Sequence, residues 1–302
     1  MKYGTIPYID KPISKIVCGS DFMAYVPEDQ AYAAMDTFWE LGGRCFDSAH
    51  CYGKNSNILG AWVAARGVAK DVVFLDKGCH PYDRKRVTYE DMGNDIRENH
   101  DRLGVGYTDL FVLHRDDPEI PVKEIVDWLN AYKADGLIGA FGGSNWHHSR
   151  IAAANDYAAK AGLQPLSLSN PNLTLAKNTR PLWDGCVTID REGRQWHQAT
   201  QFPLFSWSSM ARGYFAHTED ENVNAAYDNE VSRARRSRAE ELGIKRGVSG
   251  PGIAMAWVLN QPFPVFALAG LRSPDQVRDT LKALDIQLSP QELAWLEDGP
   301  SD

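Results

Sequence analysis

Long hydrophobic runs are missing from this 302-residue chain. No segment approaches the roughly 20 consecutive apolar residues that a membrane-spanning helix requires. The amino-terminal stretch MKYGTIPYIDKPISK also lacks the apolar core of a secretory signal. These absences predict a cytoplasmic protein that has no membrane partner.

Cysteine is scarce and irregularly spaced. The five cysteines form no CxxC pair, and their odd number does not suit a framework of disulfides. Cys18, Cys45 and Cys79 lie in or next to apolar runs. We therefore expect reduced thiols, as is usual in the cytoplasm.

The chain has no excess of basic residues. It carries 32 Lys and Arg against 40 Asp and Glu, for a formal net charge of −8. Nucleic acids and anionic membranes favour basic partners, so neither is expected as the main partner. A phosphorylated small ligand stays open, because a local basic pocket can exist within an acidic protein.

Eight short β-branched or aromatic runs recur along the chain, and each ends in small or polar residues. Runs that are apolar on both alternations are typical of parallel strands buried on both faces. With helix-like segments between them, they predict an α/β fold, a single-domain (β/α)8 TIM barrel over residues 1–302. The eight runs are residues 15–20, 44–49, 72–78, 109–115, 138–145, 166–172, 202–208 and 264–270.

Two long intervals, at about 173–201 and 209–263, interrupt the rhythm. The first shows little helical pattern and is predicted to be a loop over one mouth of the barrel, whereas the second holds an extra helix. A doubly wound sheet is the competing fold, but it normally carries GxGxxG after its first strand. Helices are predicted at 27–41, 55–66, 89–103, 121–135, 146–161, 219–242, 250–260, 273–284 and 290–298.

Polar side chains end three neighbouring strands of the predicted barrel. Asp47 ends the second strand, with Tyr52 in the loop after it, while Lys77 ends the third and His114 the fourth. Each of them alone could be structural. Catalytic groups of barrel enzymes come from the carboxyl ends of the strands, so four such groups in one mouth predict an active site there.

These four side chains suit one kind of chemistry. A cation at Lys77 would lower the pKa of the Tyr52 phenol and make it a usable proton donor, while Asp47 pairs with Lys77. His114 can hold a carbonyl oxygen near the Tyr52 hydroxyl. The set contains neither a nucleophile nor evident metal ligands, so we expect no metal and a hydride that comes from a bound cofactor.

The segments FDSAHCYG, LDKG and DLFVLHRDD resemble the aldo-keto reductase superfamily, in its bacterial type. The resemblance extends from about residue 15 to 285. It implies a catalytic tetrad of Asp47, Tyr52, Lys77 and His114. It also implies NADPH, favoured over NAD, bound in extended form across the carboxyl-terminal mouth of the barrel without a Rossmann domain.

Three further segments resemble the cofactor site of that superfamily: GGSNW, FPLFSWSSMARG and LAGLRSPDQVRDT. They imply that Trp207 stacks on the nicotinamide and that Arg272 binds the 2′-phosphate. Ser169 is chosen over Ser167 and Asn170 for a strand-6 position where the superfamily has Gln. The implied cofactor contacts are Gly19, Ser20, Asp47, Ser144, Asn145, Ser169, Trp207, Ser208, Met210, Arg212, Gly213, Gly270, Arg272, Gln276, Asp279 and Thr280.

Aromatic residues in the mouth loops predict a pocket for a ring-shaped carbonyl substrate, either aromatic or sugar-like. Asp21, His80 and Arg115 leave a hydroxylated substrate open. The predicted substrate contacts are Phe22, Tyr25, His80, Tyr82, His114, Trp146 and Trp183.

The leading hypothesis is an NADPH-dependent reductase that converts an aldehyde or ketone to its alcohol. One alternative is a nucleotide-sensing module of the same fold with little turnover, like the β-subunits of potassium channels. Another is a lyase that uses Lys77 as a Schiff-base nucleophile. The physiological substrate, the reaction direction and the oligomeric state stay open at the level of the sequence.

Overall fold

Eight of the strands close into a parallel barrel in the computed structural model, which describes residues 1–300. Every residue in these eight strands is buried, as expected for strands covered on both faces. The predicted barrel and all eight of its strands are confirmed. In order around the barrel they are β3 (Ile16–Gly19), β4 (Cys45–Asp47), β5 (Val73–Gly78), β6 (Thr108–Leu113), β7 (Ile138–Ser144), β8 (Leu168–Asn170), β9 (Leu204–Ser206) and β10 (Val265–Ala269).

Helices surround the barrel, and most begin at a residue whose side chain caps the first turn. Thr88, Asp190, Asn229, Ser249 and Ser273 each accept a hydrogen bond from a backbone N–H of the helix that follows. The helices are α1 (Glu28–Glu40), α2 (Lys54–Arg66), α3 (Tyr89–Leu103), α4 (Val122–Ala134), α5 (His148–Ala161), α6 (Arg191–Thr200), α7 (Glu221–Tyr227), α8 (Glu230–Arg246), α9 (Gly250–Leu259), α10 (Pro274–Lys282) and α11 (Pro290–Asp298).

Two of the predicted elements differ in the structure. The interval 173–201 is a loop only in its first part, because α6 occupies Arg191–Thr200. The helix predicted at 219–242 is two helices, α7 and α8, because the side chain of Asn229 begins a new helix by accepting from Ser232 N. Both changes lie in the two long intervals that interrupt the barrel rhythm.

An unpredicted hairpin closes the amino end of the barrel. It consists of β1 (Tyr3–Gly4) and β2 (Ile13–Ser14), paired antiparallel. Ile6, Ile9 and Ile13 pack into the same apolar cluster as the side chains inside the barrel. The opposite, carboxyl end is left as the mouth.

The alternation of side chains along β5 places Lys77 inside the barrel. Val73 and Leu75 belong to the interior cluster, and Lys77 is the next residue on the same face. On β7, Gly142 lets the neighbouring strand approach closely, since a Cβ there would lie 1.9 Å from the Leu168 carbonyl oxygen.

Candidate functional site

Lys77, Asp47 and Tyr52 form a buried cluster at the mouth. Lys77 Nζ contacts Asp47 Oδ1 as an ion pair and donates to the Ser48 carbonyl oxygen over 3.0 Å. It also lies 3.3 Å from the Tyr52 hydroxyl. β4 and β5 are adjacent in the barrel, and this adjacency brings the three groups together.

Burial dominates the electrostatics of this cluster. It raises the pKa of Asp47 to about 6, although the Lys77 ammonium opposes the shift. Burial, followed by the charge of Asp47, raises the pKa of Tyr52 well above its ordinary value. The expectation of a lowered Tyr52 pKa is therefore wrong for this structure, and the phenol holds its proton at neutral pH.

His114 follows β6 and stands at the edge of the Tyr52 ring. The two ring centroids are 6.0 Å apart in a T-shaped arrangement. Burial and the nearby Lys77 charge hold the pKa of His114 far below its usual value, so the imidazole is neutral. Its Nδ1 lies 3.4 Å from the Cys51 sulfur. Burial raises the pKa of that thiol to about 11. A thiol that donates to Nδ1 would place the remaining ring proton on Nε2.

A chain of buried polar groups supports the loop that carries Tyr52. Ser48 Oγ lies 3.0 Å from Ser56 Oγ, and Ser56 Oγ donates to the Ala49 carbonyl oxygen over 3.2 Å. Asn99 Nδ2 reaches both Ser48 Oγ at 3.2 Å and Asp76 Oδ1 at 2.5 Å. Burial raises the pKa of Asp76 to about 7.

Asn145 holds Trp207 at the mouth. Its Oδ1 accepts from Trp207 Nε1 at 3.1 Å and from Val187 N at 3.0 Å. Its Nδ2 donates to the His114 carbonyl oxygen and to Ser144 Oγ, both at 3.1 Å. The amide predicted to contact a nicotinamide is thus fully engaged with protein groups.

Ser169 and Asn170 face opposite sides of β8. Ser169 Oγ lies 3.2 Å from His197 Nε2, on the helix-facing side of the barrel wall. Asn170 donates from Nδ2 to the Phe205 carbonyl oxygen at 2.6 Å, and its buried Oδ1 has no partner among residues 1–300. This placement contradicts the choice of Ser169 and favours Asn170, which the sequence left as an alternative.

The segment after β9 has an unusual backbone. Ser208, Ala211 and Arg212 have φ values of 49°, 49° and 52°, and Gly213 has 94°. Non-glycine residues rarely adopt this left-handed region. Met210 precedes the short 3₁₀ helix Ala211–Ala216.

Arg212, exposed in that segment, lies 3.6 Å from Asp21, so the loops after β9 and β3 meet there. Near β3, Gly19 and Ser20 are buried, and Ser20 Oγ lacks a partner within the described chain.

The carboxyl end of β10 leads into an exposed helix start. Gly270, Arg272 and Gln276 are exposed, and Arg272 N donates to Gln276 Oε1 at 2.9 Å. Two further residues, Asp279 and Thr280, were predicted to contact the cofactor but are less accessible to a ligand. Asp279 Oδ2 accepts from Ser249 Oγ at 2.8 Å, and Thr280 is buried.

Three of the aromatic residues predicted to contact substrate, His80, Tyr82 and Trp183, lie near His114 or Trp207 at the mouth. The His80 ring centroid is 4.9 Å from that of His114, and Tyr82 packs on His80 at 5.7 Å. Trp183 is 47% exposed and its ring centroid lies 6.0 Å from that of Trp207. Tyr25 is almost fully exposed.

Phe22 and Trp146, which were also predicted to contact substrate, are both buried. Phe22 is buried, Gly270 lies against its ring, and the Arg272 guanidinium is 5.9 Å from the ring centroid. Trp146 is buried in the helix-facing cluster, where it lies directly behind Gly143. The place of Trp146 in that cluster contradicts its predicted contact with substrate, whereas the contact of Phe22 stays a prediction.

Several residues of this region were missed at the level of the sequence. The support formed by Ser48, Ser56, Asn99 and Asp76 carries no motif, although Asp76 could have been noticed as an acid inside an apolar strand. Arg115 was noted only as a polar neighbour. Its guanidinium is nearly buried and donates to the carbonyl oxygens of His114 and Asp184.

Within residues 1–300, no helix is long and apolar enough to cross a membrane. The same part of the chain contains no group of three or more His, Cys, Asp or Glu side chains arranged to hold a metal ion.

Comparison with known proteins gives a family, named relatives and a similar fold. A model of the aldo/keto reductase family matches residues 15–298. Norsolorinic acid reductase of Emericella nidulans is 26% identical over 91% of this chain and 73% of its own length. The NADP(+) aryl-alcohol dehydrogenase of Phanerodontia chrysosporium is 25% identical over 91% of this chain and 77% of its own. The crystal structure of a thermostable aldo-keto reductase with the inhibitor epalrestat has a TM-score of 0.76. The two chains are 20% identical, and the match covers 99% of this chain and 100% of the chain in the crystal structure.

Proposed function

Because the chain belongs to the aldo/keto reductase family, we propose that it reduces an aldehyde or ketone with NADPH and that Tyr52 donates the proton. Family membership makes it an NAD(P)H-dependent oxidoreductase of carbonyl compounds. The observation that carries the finer proposal is the 3.3 Å separation between Lys77 Nζ and the Tyr52 hydroxyl at the barrel mouth. It joins a proton donor to a fixed cation.

Several groups at the mouth fit a nicotinamide cofactor. Trp207 offers an indole face, and the partnerless Asn170 Oδ1 offers an acceptor for a carboxamide N–H. Ser20 Oγ, also partnerless, and Gly213 suit close approach of a pyrophosphate. NADPH supplies a hydride to the carbonyl carbon when it is bound.

The protein side of the reaction is proton transfer to the carbonyl oxygen. Tyr52 is protonated at neutral pH and would give up its proton as negative charge develops on that oxygen. The tyrosinate left behind lies beside the Lys77 ammonium, which stabilises it until solvent returns a proton. His114 Nε2–H would donate a hydrogen bond to the same oxygen.

A preference for NADPH over NADH is part of the proposal. Arg272 is exposed at the start of α10 and has no carboxylate partner within the described chain, so its guanidinium can fork onto a 2′-phosphate. Arg272→Leu should lower kcat/KM for NADPH at least tenfold and leave that for NADH nearly unchanged. Arg278→Leu is the matched control, since Arg278 is equally exposed but pairs with Asp275.

Planar carbonyl compounds are the proposed substrate class. The rings of His80, Trp183 and Trp207 lie around the mouth and provide flat apolar walls. One relative is named an aryl-alcohol dehydrogenase, which agrees with an aromatic substrate.

All five cysteines are free thiols, which supports the proposed cytoplasmic location.

Tyr52→Phe tests the mechanism. It should remove most reduction of a panel of aldehydes and ketones, followed by NADPH absorbance, because the carbonyl oxygen loses its proton donor. NADPH binding, followed by quenching of tryptophan fluorescence, should persist. Undiminished turnover in this variant would overturn the role of Tyr52.

Two other functions of the same site give different results in this assay. A nucleotide-sensing module would bind NADPH tightly and turn over no carbonyl in the panel. A Schiff-base lyase would let borohydride trap substrate on Lys77. The ion pair between Lys77 and Asp47 disfavours the lyase, because the amine that would attack the substrate is already engaged by a carboxylate.

A further inference from the structure

Arg115 is a nearly buried cation without an acidic partner. Only 9% of the residue is exposed. Nη1 donates to the His114 carbonyl oxygen at 2.9 Å and Nε donates to the Asp184 carbonyl oxygen at 3.1 Å. No ion pair joins Arg115 to a carboxylate anywhere in residues 1–300. Buried charges in proteins are usually paired, so the unmatched charge requires an explanation.

The acids that follow Arg115 in the sequence are engaged by other cations. Asp116 accepts from Arg150 Nε at 2.7 Å, and Asp117 lies 2.9 Å from Lys85 Nζ. Arg115 therefore retains a positive charge that its own segment does not neutralise.

The guanidinium of Arg115 lies beside the reaction centre, because its Nη1 donates to the carbonyl oxygen of His114. Burial sets the direction of the pKa shifts of Tyr52, Cys51 and His114, and the charge of Arg115 contributes a smaller downward effect on each pKa. The same charge also acts on His80 and Cys186. Arg115 thus lies close enough to Cys51, Tyr52 and His114 for its charge to act on them.

One edge of the guanidinium stays available. Nη2 makes no hydrogen bond within the described chain, and it remains accessible to solvent. The aliphatic part packs under the loop at Gly185, where a Cβ would lie 3.2 Å from Arg115 Cδ. Two backbone acceptors and this loop hold the side chain, so the free edge is preorganised.

We propose that Arg115 binds a carboxylate on the substrate, so that the preferred substrates are aldehydes or ketones that carry a carboxylate on the same planar molecule. The inference rests on the proposed carbonyl reduction and narrows its substrate class. The planar guanidinium matches a carboxylate through parallel N–H donors, and the enclosed setting strengthens that contact.

The test compares substrates that differ only in charge. Benzaldehydes with a carboxylate at the 3 or 4 position are compared with their neutral methyl esters in the wild type, Arg115→Gln and Arg115→Lys. For Arg115→Gln we expect kcat/KM to fall about 30-fold for the carboxylates and less than about threefold for the esters. The lysine variant should recover part of the difference, because it restores charge but not the fork. Lys85→Gln is the control for removal of a nearby exposed cation.

Equal losses for carboxylates and esters in Arg115→Gln would mean that Arg115 only holds the loop, and would overturn the inference. So would a wild type that reduces the esters as well as or better than the carboxylates. Either result leaves carbonyl reduction intact.

A binding experiment separates this inference from the reaction. Benzoate should bind the wild type in the presence of NADP and bind Arg115→Gln at least tenfold more weakly, as measured by calorimetry. Absence of turnover with every carbonyl compound would refute the proposed function and not this binding result. Equal benzoate affinity in the two proteins would overturn the role of Arg115.

Discussion

The indole Nε1 of Trp207 donates a 3.1 Å hydrogen bond to Oδ1 of Asn145. The contact joins the ends of β7 and β9 across the mouth and fixes the orientation of the largest flat surface there. Asn145 itself adopts a left-handed backbone, with φ of 60°, which Asn tolerates better than most residues.

Replacing Trp207 with Phe keeps an aromatic ring and removes this donor. We expect NADPH to bind roughly threefold to tenfold more weakly, because a net hydrogen bond is worth about 1 kcal/mol and the ring loses its fixed orientation. The dissociation constant can be measured by the change in NADPH fluorescence. Trp196→Phe, on α6 outside the barrel wall, is the matched control and should leave affinity unchanged. Unaltered affinity in Trp207→Phe would show that orientation by Asn145 does not matter.

Paired alanine variants can distinguish the contributions of Asn170 and Ser169 to cofactor binding. Asn170→Ala removes the side chain that faces into the barrel, so NADPH affinity should fall about tenfold, with some loss of stability because the contact with Phe205 is lost. Ser169→Ala should leave affinity unchanged, since its hydroxyl faces His197 on the other side of the wall. The opposite ranking in a titration with NADPH would restore the original choice of Ser169.

Cys51 is predicted to act on the reaction through His114. In Cys51→Ala the Nδ1 atom loses this contact, which we propose keeps the ring proton on Nε2. We expect kcat to fall about fivefold while NADPH affinity stays the same. Cys51→Ser should recover much of the rate, because a hydroxyl also donates. Identical kcat values and pH profiles for the wild type and Cys51→Ala would argue against this role.

The buried carboxyl of Asp76 should make the free energy of unfolding depend on pH. Burial raises its folded-state pKa to about 7, above the ordinary value near 3.9. The folded protein therefore binds the extra proton between these values. This contribution to stability is complete below about pH 4 and is lost as the pH rises through about 7.

Asp76→Asn removes that titration while keeping an oxygen for Lys77 N and Asn99 Nδ2. At pH 8 the variant should be more stable by about 1 to 3 kcal/mol, and the difference should shrink toward pH 4. Urea unfolding at several pH values measures it. Parallel stability curves for the two proteins would mean that Asp76 does not titrate in this range.

Much of this fold could be predicted because each apolar run of the sequence ends in small or polar residues. Asp47, Lys77 and His114 were recognisable for the same reason, since strand ends of a parallel barrel meet at one mouth. The sequence did not reveal which face of β8 carries Ser169 and which carries Asn170, because the run LSLSNPN has small polar residues on both alternations.

Helix α6 escaped prediction because REGRQWHQAT contains few apolar residues to mark a buried face, although Asp190 is a recognisable cap. Trp146 was misplaced for another reason. A residue just past a strand end can turn toward the mouth or behind the wall, and only the packing against Gly143 decides. The unpaired charge of Arg115 likewise depends on where distant acids find their own partners.

The hairpin β1–β2 leaves the barrel with a single entrance. Ile6, Ile9 and Ile13 fill its amino end, and the stacked rings of Phe205 and Phe266 lie among the interior side chains, 4.5 Å apart. Both proposed reactants would therefore come and go on the same side. Because both would pass through this one entrance, we expect the two reactants to bind and leave in a fixed order.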